Sequence, residues 1–295
     1  MNYYSPLRYP GGKNKAFALF KDIIAVNALH GCVYVEPFAG GASVALGLLS
    51  EGYADKAIIN DADPSIYSFW HSCLTSIDEF CDLMRRTEIN TEVWEQQKAI
   101  YCELRARAMR GEMYDAMSLG FATFFLNRTN RSGILKGGMI GGHEQNSKYG
   151  IAARFNKQEL EKRLRRVASL SERIELHCED AKSFLESNSD AWPQKTLIYC
   201  DPPYVQKGHG LYMNYFKESD HRKLCETILK IDKNWVVTYD IDDLIAGLYH
   251  DFLNKKLTLS YSAYHNRGSI KSDEYIFFSH SLVIPDSEKL TNIKT

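Results

Sequence analysis

Short hydrophobic runs alternate with helical patterns along much of the chain. Seven runs rich in β-branched and aromatic residues predict β-strands at 33–38, 57–61, 174–178, 197–200, 235–239, 256–261 and 275–279. Helical spacing separates most of these runs, as in folds where strands and helices alternate. The pattern therefore predicts an α/β fold with a doubly wound sheet.

The alternation stops between residues 61 and 174, where no strand stands out. Helical spacing in this gap predicts helices at 93–109, 114–126 and 157–170. The stretch 133–150 contains too many glycines for a core element, so it is either a loop that approaches a ligand closely or a flexible connector. We expect a sheet domain formed by 1–70 and 171–295, interrupted by an inserted, mainly helical domain at 71–170.

Composition indicates a globular protein of the cytoplasm. The chain has 295 residues, of which 44% are hydrophobic, enough for a packed interior. Its seven cysteines form no C-x-x-C pair and its nine histidines form no H-E-x-x-H motif, so neither a disulfide framework nor a metal site is expected. We find no signal peptide and no apolar run of the ~20 residues that a membrane helix needs.

Charge is distributed unevenly. Residues 121–170 carry ten Lys and Arg against three acidic residues, a net charge of +7, whereas the remainder carries −8. Such a basic segment is typical of a surface that faces a polyanion. For 162–166 a solvated helix face explains the charge equally well.

The strand predicted at 197–200 runs directly into Asp201, Pro202, Pro203 and Tyr204. A carboxylate and a proline carbonyl can both accept hydrogen bonds from one NH2 group, and the tyrosine offers a face on which a flat ring can stack. In a simpler alternative, Asp201 caps the turn after the strand. We favour catalysis on an amino group of a planar ring.

The strand predicted at 33–38 contains Glu36 and ends in Phe38, and Ala39, Gly40 and Gly41 precede the next helix. Glycines let a ligand approach the backbone closely, as a nucleoside cofactor requires. Neither G-x-x-x-x-G-K-[ST] nor G-x-G-x-x-G is present, which disfavours a diphosphate. Phe38 fits the core as well as a cofactor contact.

Two acidic residues stand at the ends of buried-looking strands. Glu36 and Asp61 would be costly there without partners, so a hydroxyl or amine of a ligand, or a structural salt bridge, is expected beside each. Near the N-terminus, Tyr9 could cover a ligand or pack internally. Gly11, Gly12 and Lys13 precede a helix predicted at 13–25, whose start suits a carboxylate.

Three strings carry a resemblance: the N-terminal one that contains Gly11 and Gly12, the one that contains Gly40 and Gly41, and Asp201 to Tyr204. In this order along the chain, and with a long insert before the third, they resemble the Dam-type, D12 class family of DNA adenine-N6 methyltransferases. The resemblance implies a Rossmann-like methyltransferase sheet with an inserted target-recognition domain, S-adenosylmethionine as cofactor and double-stranded DNA as substrate. It also implies cofactor roles for Asp61 at the ribose and for Asp180 and Ala181 at the adenine ring. The DNA-binding residues that it implies are Asn127, Arg128, Asn130, Arg131, Ser132, Lys136 and Arg154.

The chemistry follows from these roles. An adenine inside a duplex hides its amine, so it must flip out, at a cost of a few kcal/mol. Asp201 and the Pro202 carbonyl would receive the amine while Tyr204 stacks on the ring. Cytosine-C5 methylation is excluded because it needs a cysteine nucleophile, in that family within a Pro-Cys pair, and no proline here precedes a cysteine.

Several alternatives remain open. The Phe-Gly-Lys-Tyr-like continuation of GATC-methylating members is absent, so we predict no target sequence. The substrate could instead be an RNA base or a protein amide, or the chain could be a regulator without catalysis. A cognate restriction endonuclease is one partner to consider. We expect a monomer, because no heptad pattern is present.

Overall fold

A computed structural model of the chain describes residues 4–8, 16–205, 216–262 and 269–291. The chain divides into two compact units, one formed by Met1–Gly12 and Asp61–Cys178 and the other by Lys13–Asn60 and Glu179–Thr295. These boundaries differ from the predicted ones at 70 and 171. The functional role of each predicted domain stays a prediction.

The second unit contains a mixed β-sheet. Its strands are β1 (Cys32–Glu36), β2 (Ala54–Asn60), β4 (Thr196–Cys200), β5 (Asn234–Asp240), β6 (Leu253–Ser262), β7 (Ser269–Phe278) and β8 (Leu290–Thr291). They run in the order β2-β1-β4-β5-β7-β6-β8. The first four are parallel, and β7, β6 and β8 add antiparallel pairs at one edge.

Helices cover both faces of this sheet, as its parallel strands require. They are α1 (Phe17–Val26), α2 (Ser43–Ser50), α8 (Ala181–Asn188), α9 (Glu218–Leu229) and α10 (Asp243–Leu248). Phe20 of α1 contacts Tyr34 and Tyr199 on one face, with ring centroids 5.8 and 4.5 Å apart. The neighbouring residues Val35 and Ile198 belong to the core on the other face. The predicted doubly wound α/β fold is confirmed.

The strand order reverses between β1 and β4. These two strands are parallel neighbours, with Val33 opposite Thr196 and Val35 opposite Ile198. From β1 the chain continues to β2 on one side, and from β4 it continues to β5 on the other side. Ligands of open α/β sheets bind at such a switch point, outside the carboxyl ends of the strands. Both candidate loops, after β1 and after β4, begin there.

The first unit is mainly helical. It contains α3 (Pro64–Thr75), α4 (Ile77–Arg86), α5 (Thr91–Met109), α6 (Ala116–Thr129), α7 (Lys157–Ala168) and the short strand β3 (Ile174–His177). Phenylalanines from three of these helices form its centre: Phe80 packs edge-on against Phe121 and Phe124 at 5.6 and 5.5 Å, and Phe69 stacks on Phe124. The helices predicted at 93–109, 114–126 and 157–170 correspond to α5, α6 and α7.

The described residues contain no helix that combines the length and hydrophobicity needed to cross a bilayer. Within the same ranges, no group of histidines, cysteines and acidic residues is arranged to hold a metal ion.

Candidate active site

The residues after β4 form a largely buried loop. Pro202, Pro203 and Tyr204 are buried, whereas Asp201 is partly exposed. The Asp201 Oδ1 accepts a hydrogen bond of 2.8 Å from Thr238 Oγ1 on the neighbouring strand β5. At the other end of the loop, the Val205 N–H donates to Asp240 Oδ1 at 3.1 Å. The loop is therefore held in place by β5, which the sequence analysis did not anticipate.

A tight turn follows β1. Ala39, Gly40 and Gly41 are buried, and Phe38 is partly buried. Gly40 has a φ of 45°, in the left-handed region that glycine adopts without strain. The turn leads directly into α2, as predicted.

Glu36 is the last residue of β1, and its side chain is almost fully enclosed. Its Oε1 accepts a hydrogen bond of 3.0 Å from the Ala45 N–H in the first turn of α2. The pKa of Glu36 is raised to about 8, mainly because its carboxyl is buried and in small part because Asp201 lies nearby. The carboxyl thus serves α2 as a cap that its N-cap residue, Ala42, cannot provide. Its predicted contact with a cofactor stays a prediction.

Phe38 belongs to an aromatic row. Its ring lies 6.0 Å from that of Phe216, which in turn lies 5.4 Å from the ring of His221. Phe38 also packs against the hydrophobic core. The core interpretation of Phe38 therefore has direct support, and a cofactor contact from its remaining exposed part is compatible with it.

Asn60, at the end of β2, joins two loops. Its side-chain Nδ2 donates to the carbonyl oxygens of Pro37 and Glu179, both at 3.0 Å, and its Oδ1 accepts from the Glu179 N–H at 2.9 Å. Asn60 is fully buried. The role of Asn60 in joining the two loops was not predicted from the sequence. A polar residue directly after the apolar run Ala57-Ile58-Ile59 was the available signal for it.

Asp180 and Ala181 follow Glu179 at the start of α8. Asp180 is exposed and caps this helix, accepting from the Ser183 N–H at 3.1 Å, while Ala181 is buried. The adenine-binding role that the resemblance implies for both stays a prediction.

Asp61 lies in the first unit. Its Oδ1 accepts from the Asp63 N–H at 2.9 Å. Asp63 in turn caps α3 and pairs with Arg105 at 3.1 Å. A ribose contact by Asp61 stays a prediction. The remaining cofactor candidates, Tyr9, Gly11, Gly12 and Lys13, lie outside the described residues.

Asn127 and Asn130, predicted to contact DNA, are buried. Asn127 bonds both the N–H and the carbonyl of Arg8 at 2.7 Å, and also the Gly133 carbonyl. The Asn130 Oδ1 accepts from Trp94 Nε1 at 2.7 Å, while its Nδ2 donates to two carbonyls of the following loop. Both amides thus hold the backbone around α6 in place. The sequence alone does not distinguish this role from hydrogen bonding to the edges of DNA bases.

Arg128 is enclosed among positive charges. Its guanidinium donates to the Arg154 carbonyl at 2.8 and 2.5 Å. The pKa of Arg128 is lowered to about 9, mainly because its side chain is buried and in part because the positive charges of Arg8, Arg163 and Arg154 lie nearby. The positive charges of Arg8, Arg128 and Arg154 favour the approach of an anion, whereas Arg163 is paired with Glu159.

The other DNA candidates, Arg131, Ser132, Lys136 and Arg154, are exposed. The first three lie on a loop whose ends are joined by two backbone hydrogen bonds, from the Arg131 N–H to the Gly138 carbonyl at 3.0 Å and from the Ile140 N–H to the Thr129 carbonyl at 2.8 Å. A closed loop of this kind presents its side chains outward in a fixed order.

Part of the positive charge of this segment is neutralised within the first unit. In α7, Arg163 pairs with Glu159 at 3.1 Å, and Arg165 pairs with Asp78 at 2.8 Å and with Glu161 at 3.0 Å. For these two arginines, the solvated-face interpretation accounts for the charge.

Comparison with known proteins identifies the family of the chain. The family model of D12 class N6 adenine-specific DNA methyltransferases matches residues 9–265. The chain belongs to this family. Members transfer a methyl group from S-adenosylmethionine to the N6 atom of adenine in DNA, so the expected reaction, cofactor and substrate are confirmed at the level of the family.

Individual relatives are more distant. The chain is 25% identical over 268 residues to the Type II methyltransferase M.MjaIII of Methanocaldococcus jannaschii, covering 85% of this chain and 89% of the relative. Among solved structures, it is similar to a SAM-dependent methyltransferase from Agrobacterium tumefaciens, with 11% identity, a TM-score of 0.42, and coverage of 90% of this chain and 62% of the other. The rRNA methyltransferase aviRa from Streptomyces viridochromogenes matches with 11% identity, a TM-score of 0.35, and 91% and 85% coverage.

The end of β1 suits the family's cofactor. The turn after Glu36 contains two glycines without Cβ atoms, and it begins at the switch point of the sheet, next to the loop after β4. S-adenosylmethionine supplies an electrophilic methyl group on sulfur. The pairing of β1 with β4 places this turn and the loop after β4 at neighbouring strand ends.

Proposed function

We propose that the chain is a site-specific adenine methyltransferase of double-stranded DNA whose catalytic residues are Asp201, Pro202, Pro203 and Tyr204. One observation carries the proposal: this loop extends from β4 at the switch point, directly beside the glycine turn after β1. Family membership supplies the reaction, and the proposal assigns the residues that perform it.

Each residue of the loop has a chemical role. Asp201 accepts one hydrogen of the adenine amine and the Pro202 carbonyl accepts the other, which directs the nitrogen lone pair toward the methyl donor. Asp201 also stabilises the positive charge that builds on N6 as the methyl group is transferred. Tyr204 stacks on the extruded base, which offsets part of the few kcal/mol that unstacking costs. Pro203 restricts the backbone between them.

For the cofactor, we propose contacts by the residues that the family's pattern assigns to it. These are Tyr9, Gly11, Gly12, Lys13, Glu36, Phe38, Ala39, Gly40, Gly41, Asp61, Asp180 and Ala181. The glycine turn after β1 supports the contacts of Gly40 and Gly41, since these residues have no side chains where the nucleoside must approach.

For DNA, we propose that Arg131, Ser132, Lys136 and Arg154 contact the duplex and that Arg128 faces a backbone phosphate. The exposure of Arg131, Ser132, Lys136 and Arg154 supports their contact with the duplex. The positive charges near Arg128 support its contact with a phosphate. Asn127 and Asn130 act indirectly, because their amides hold the segment that carries these side chains.

We also propose one protein partner and an oligomeric state. The relative M.MjaIII is named a Type II methyltransferase. On that likeness we propose that a cognate restriction endonuclease acts on the same target sequence. We further propose that the enzyme works as a monomer. A substrate other than DNA has the weaker case, since the matching family acts on DNA.

The test of site specificity is a methylation map. The chain is expressed in a bacterial host that lacks adenine methylation, and genomic DNA is read by long-read sequencing that detects N6-methyladenine. We expect modification of adenine within one recurrent sequence and none with Asp201→Ala. Modified adenines scattered without a common sequence would contradict the proposal, as would an unmodified genome in cells that contain the folded protein.

A further inference from the structure

Two residues at the end of β5, Thr238 and Asp240, hold the two ends of the proposed catalytic loop. Thr238 bonds Asp201 at the beginning of the loop, at 2.8 Å, and Asp240 accepts the Val205 N–H at its end, at 3.1 Å. Side chains of a strand alternate between its two faces, so Thr238 and Asp240 point to the same side. Tyr239 points to the opposite side.

The direction of the hydrogen bonds follows from the chemistry of the groups. Thr238 Oγ1 donates its single hydroxyl proton to Asp201 Oδ1. The Tyr199 hydroxyl lies 3.0 Å from Thr238 Oγ1 and must then be the donor in that pair. This gives a chain of two hydrogen bonds, from Tyr199 to Thr238 to Asp201, in which the Thr238 side chain is completely buried.

Tyr239 is fixed on the other face. Its hydroxyl lies 3.0 Å from His221 Nδ1, and the His221 side chain is only 1% exposed. Burial lowers the pKa of His221 below its ordinary value, which favours the neutral ring. The end of β5 is thus held on both faces and cannot shift without breaking buried hydrogen bonds.

We propose that Thr238 is a positioning residue that orients the catalytic carboxylate through the chain Tyr199–Thr238–Asp201, and that Asp240 positions the far end of the same loop. This inference rests on the proposed function, because it explains how the loop assigned to catalysis keeps its geometry. The Thr238 hydroxyl fixes the rotation of the carboxylate about the Cβ–Cγ bond of Asp201. The carboxylate therefore meets the amine in one orientation.

The role predicts a kinetic pattern that a purely structural role would not produce. Misplacing a reacting group by about 1 Å costs on the order of 100-fold in rate. Thr238→Val keeps the shape of the side chain but removes the hydroxyl, whereas Thr238→Ser keeps the hydroxyl. Tyr199→Phe removes only the outer donor.

The test measures kcat, the KM for DNA and the Kd for S-adenosylmethionine for the wild type and these three variants. We expect Thr238→Val to lose about 10- to 100-fold in kcat with KM and Kd unchanged. Thr238→Ser should stay near the wild type, and Tyr199→Phe should fall between the two. Melting temperatures check that the variants are folded. A wild-type kcat in Thr238→Val, or equal losses in the Val and Ser variants, would overturn the proposal.

A second measurement separates this inference from the proposed function. If the wild type transfers no methyl group to DNA, the substrate assignment fails, and the positioning of the loop is tested by hydrogen exchange at the Val205 amide. Asp240→Ala removes the acceptor of this amide, whereas Asp240→Asn retains an oxygen at the same place. We expect faster exchange in the Ala variant alone. Unchanged exchange in that variant would overturn the role of Asp240 independently of activity.

Discussion

A single buried carboxyl, that of Glu36, makes stability depend on pH. Its pKa is raised to about 8 in the folded protein, from an ordinary value of 4.5, mainly because burial disfavours the charged form. Between these two values the folded chain keeps a proton that the unfolded chain has released. The contribution of Glu36 to stability is therefore complete below pH 4.5 and is lost as the pH rises toward about 8.

Glu36→Gln should remove this dependence. Glutamine keeps an oxygen that can accept from the Ala45 N–H but has no proton to release. We expect the free energy of unfolding of the variant to lose the slope of about 1.4 kcal/mol per pH unit that one such group imposes. Urea denaturation at several pH values measures this slope. Glu51→Gln, an exposed site after the same helix, is the control. Parallel curves for the wild type and Glu36→Gln would contradict the assigned pKa.

Residue type led to the chemistry proposed for the site but did not predict the residues that hold the site in place. Asp201 and Tyr204 could be assigned because a carboxylate, a proline carbonyl and an aromatic ring suit an amine on a flat ring. Thr238 could not, since its partner is 37 positions away and depends on which strands become neighbours. Asn127 and Asn130 were assigned to DNA because an amide that reads a base edge looks the same in sequence as one that bonds a buried backbone.

Among the elements, the crossing of α3 and α6 depends on Gly120. A Cβ at this position would lie 2.5 Å from the Ser68 carbonyl oxygen and 2.8 Å from its carbon. We expect Gly120→Ala to destabilise the protein by about 1–3 kcal/mol through this overlap, although alanine favours helices by up to about 1 kcal/mol over glycine.

Gly247 in α10 is the matched control, because a Cβ there meets no atom within 4 Å. Gly247→Ala should leave stability unchanged or raise it slightly. Thermal and urea denaturation of both variants provide the comparison. Equal stabilities of the two variants would mean that the helices do not approach as closely as described.

The loop that follows α6 should contribute to the salt dependence of DNA binding. Each phosphate contact by a lysine or arginine contributes about 0.9 to the slope of log K against log salt concentration for duplex DNA. Arg131→Ala and Lys136→Ala should each lower the slope by about that amount if they contact phosphates. Binding is measured by fluorescence anisotropy. Arg222→Ala, which removes an exposed arginine from α9 that is paired with Glu218, should leave the slope unchanged.

Hydrophobic runs were sufficient to predict every strand that forms the parallel part of the sheet, because buried strands need apolar side chains on both faces. The outer hairpin was underestimated: β7 begins at Ser269, six positions before the predicted strand at 275, since its first half is polar in sequence. Helices α3 and α4 were missed individually. The signal for α3 was present in Asp63 and Pro64, an N-cap residue followed by proline at the first helical position.

Ion pairs within the protein neutralise part of the positive charge of residues 121–170. The net charge of +7 over 121–170 includes Arg163 and Arg165 of α7, which are paired with acidic residues, so the charge available to DNA belongs mainly to the loop after α6 and to Arg128 and Arg154. The cytoplasmic location and the monomeric state, expected from sequence, stay predictions.

The central claim is that Asp201 catalyses methyl transfer to adenine in DNA. The most direct measurement incubates the purified protein with labelled S-adenosylmethionine and unmethylated duplex DNA, digests the DNA to nucleosides and quantifies N6-methyladenine by mass spectrometry. Asp201→Ala and an exposed control, Asp190→Ala, are measured beside the wild type, with cofactor binding determined by calorimetry. We predict N6-methyladenine with the wild type and Asp190→Ala, and none with Asp201→Ala despite intact cofactor binding. Equal product from Asp201→Ala and the wild type would contradict the account.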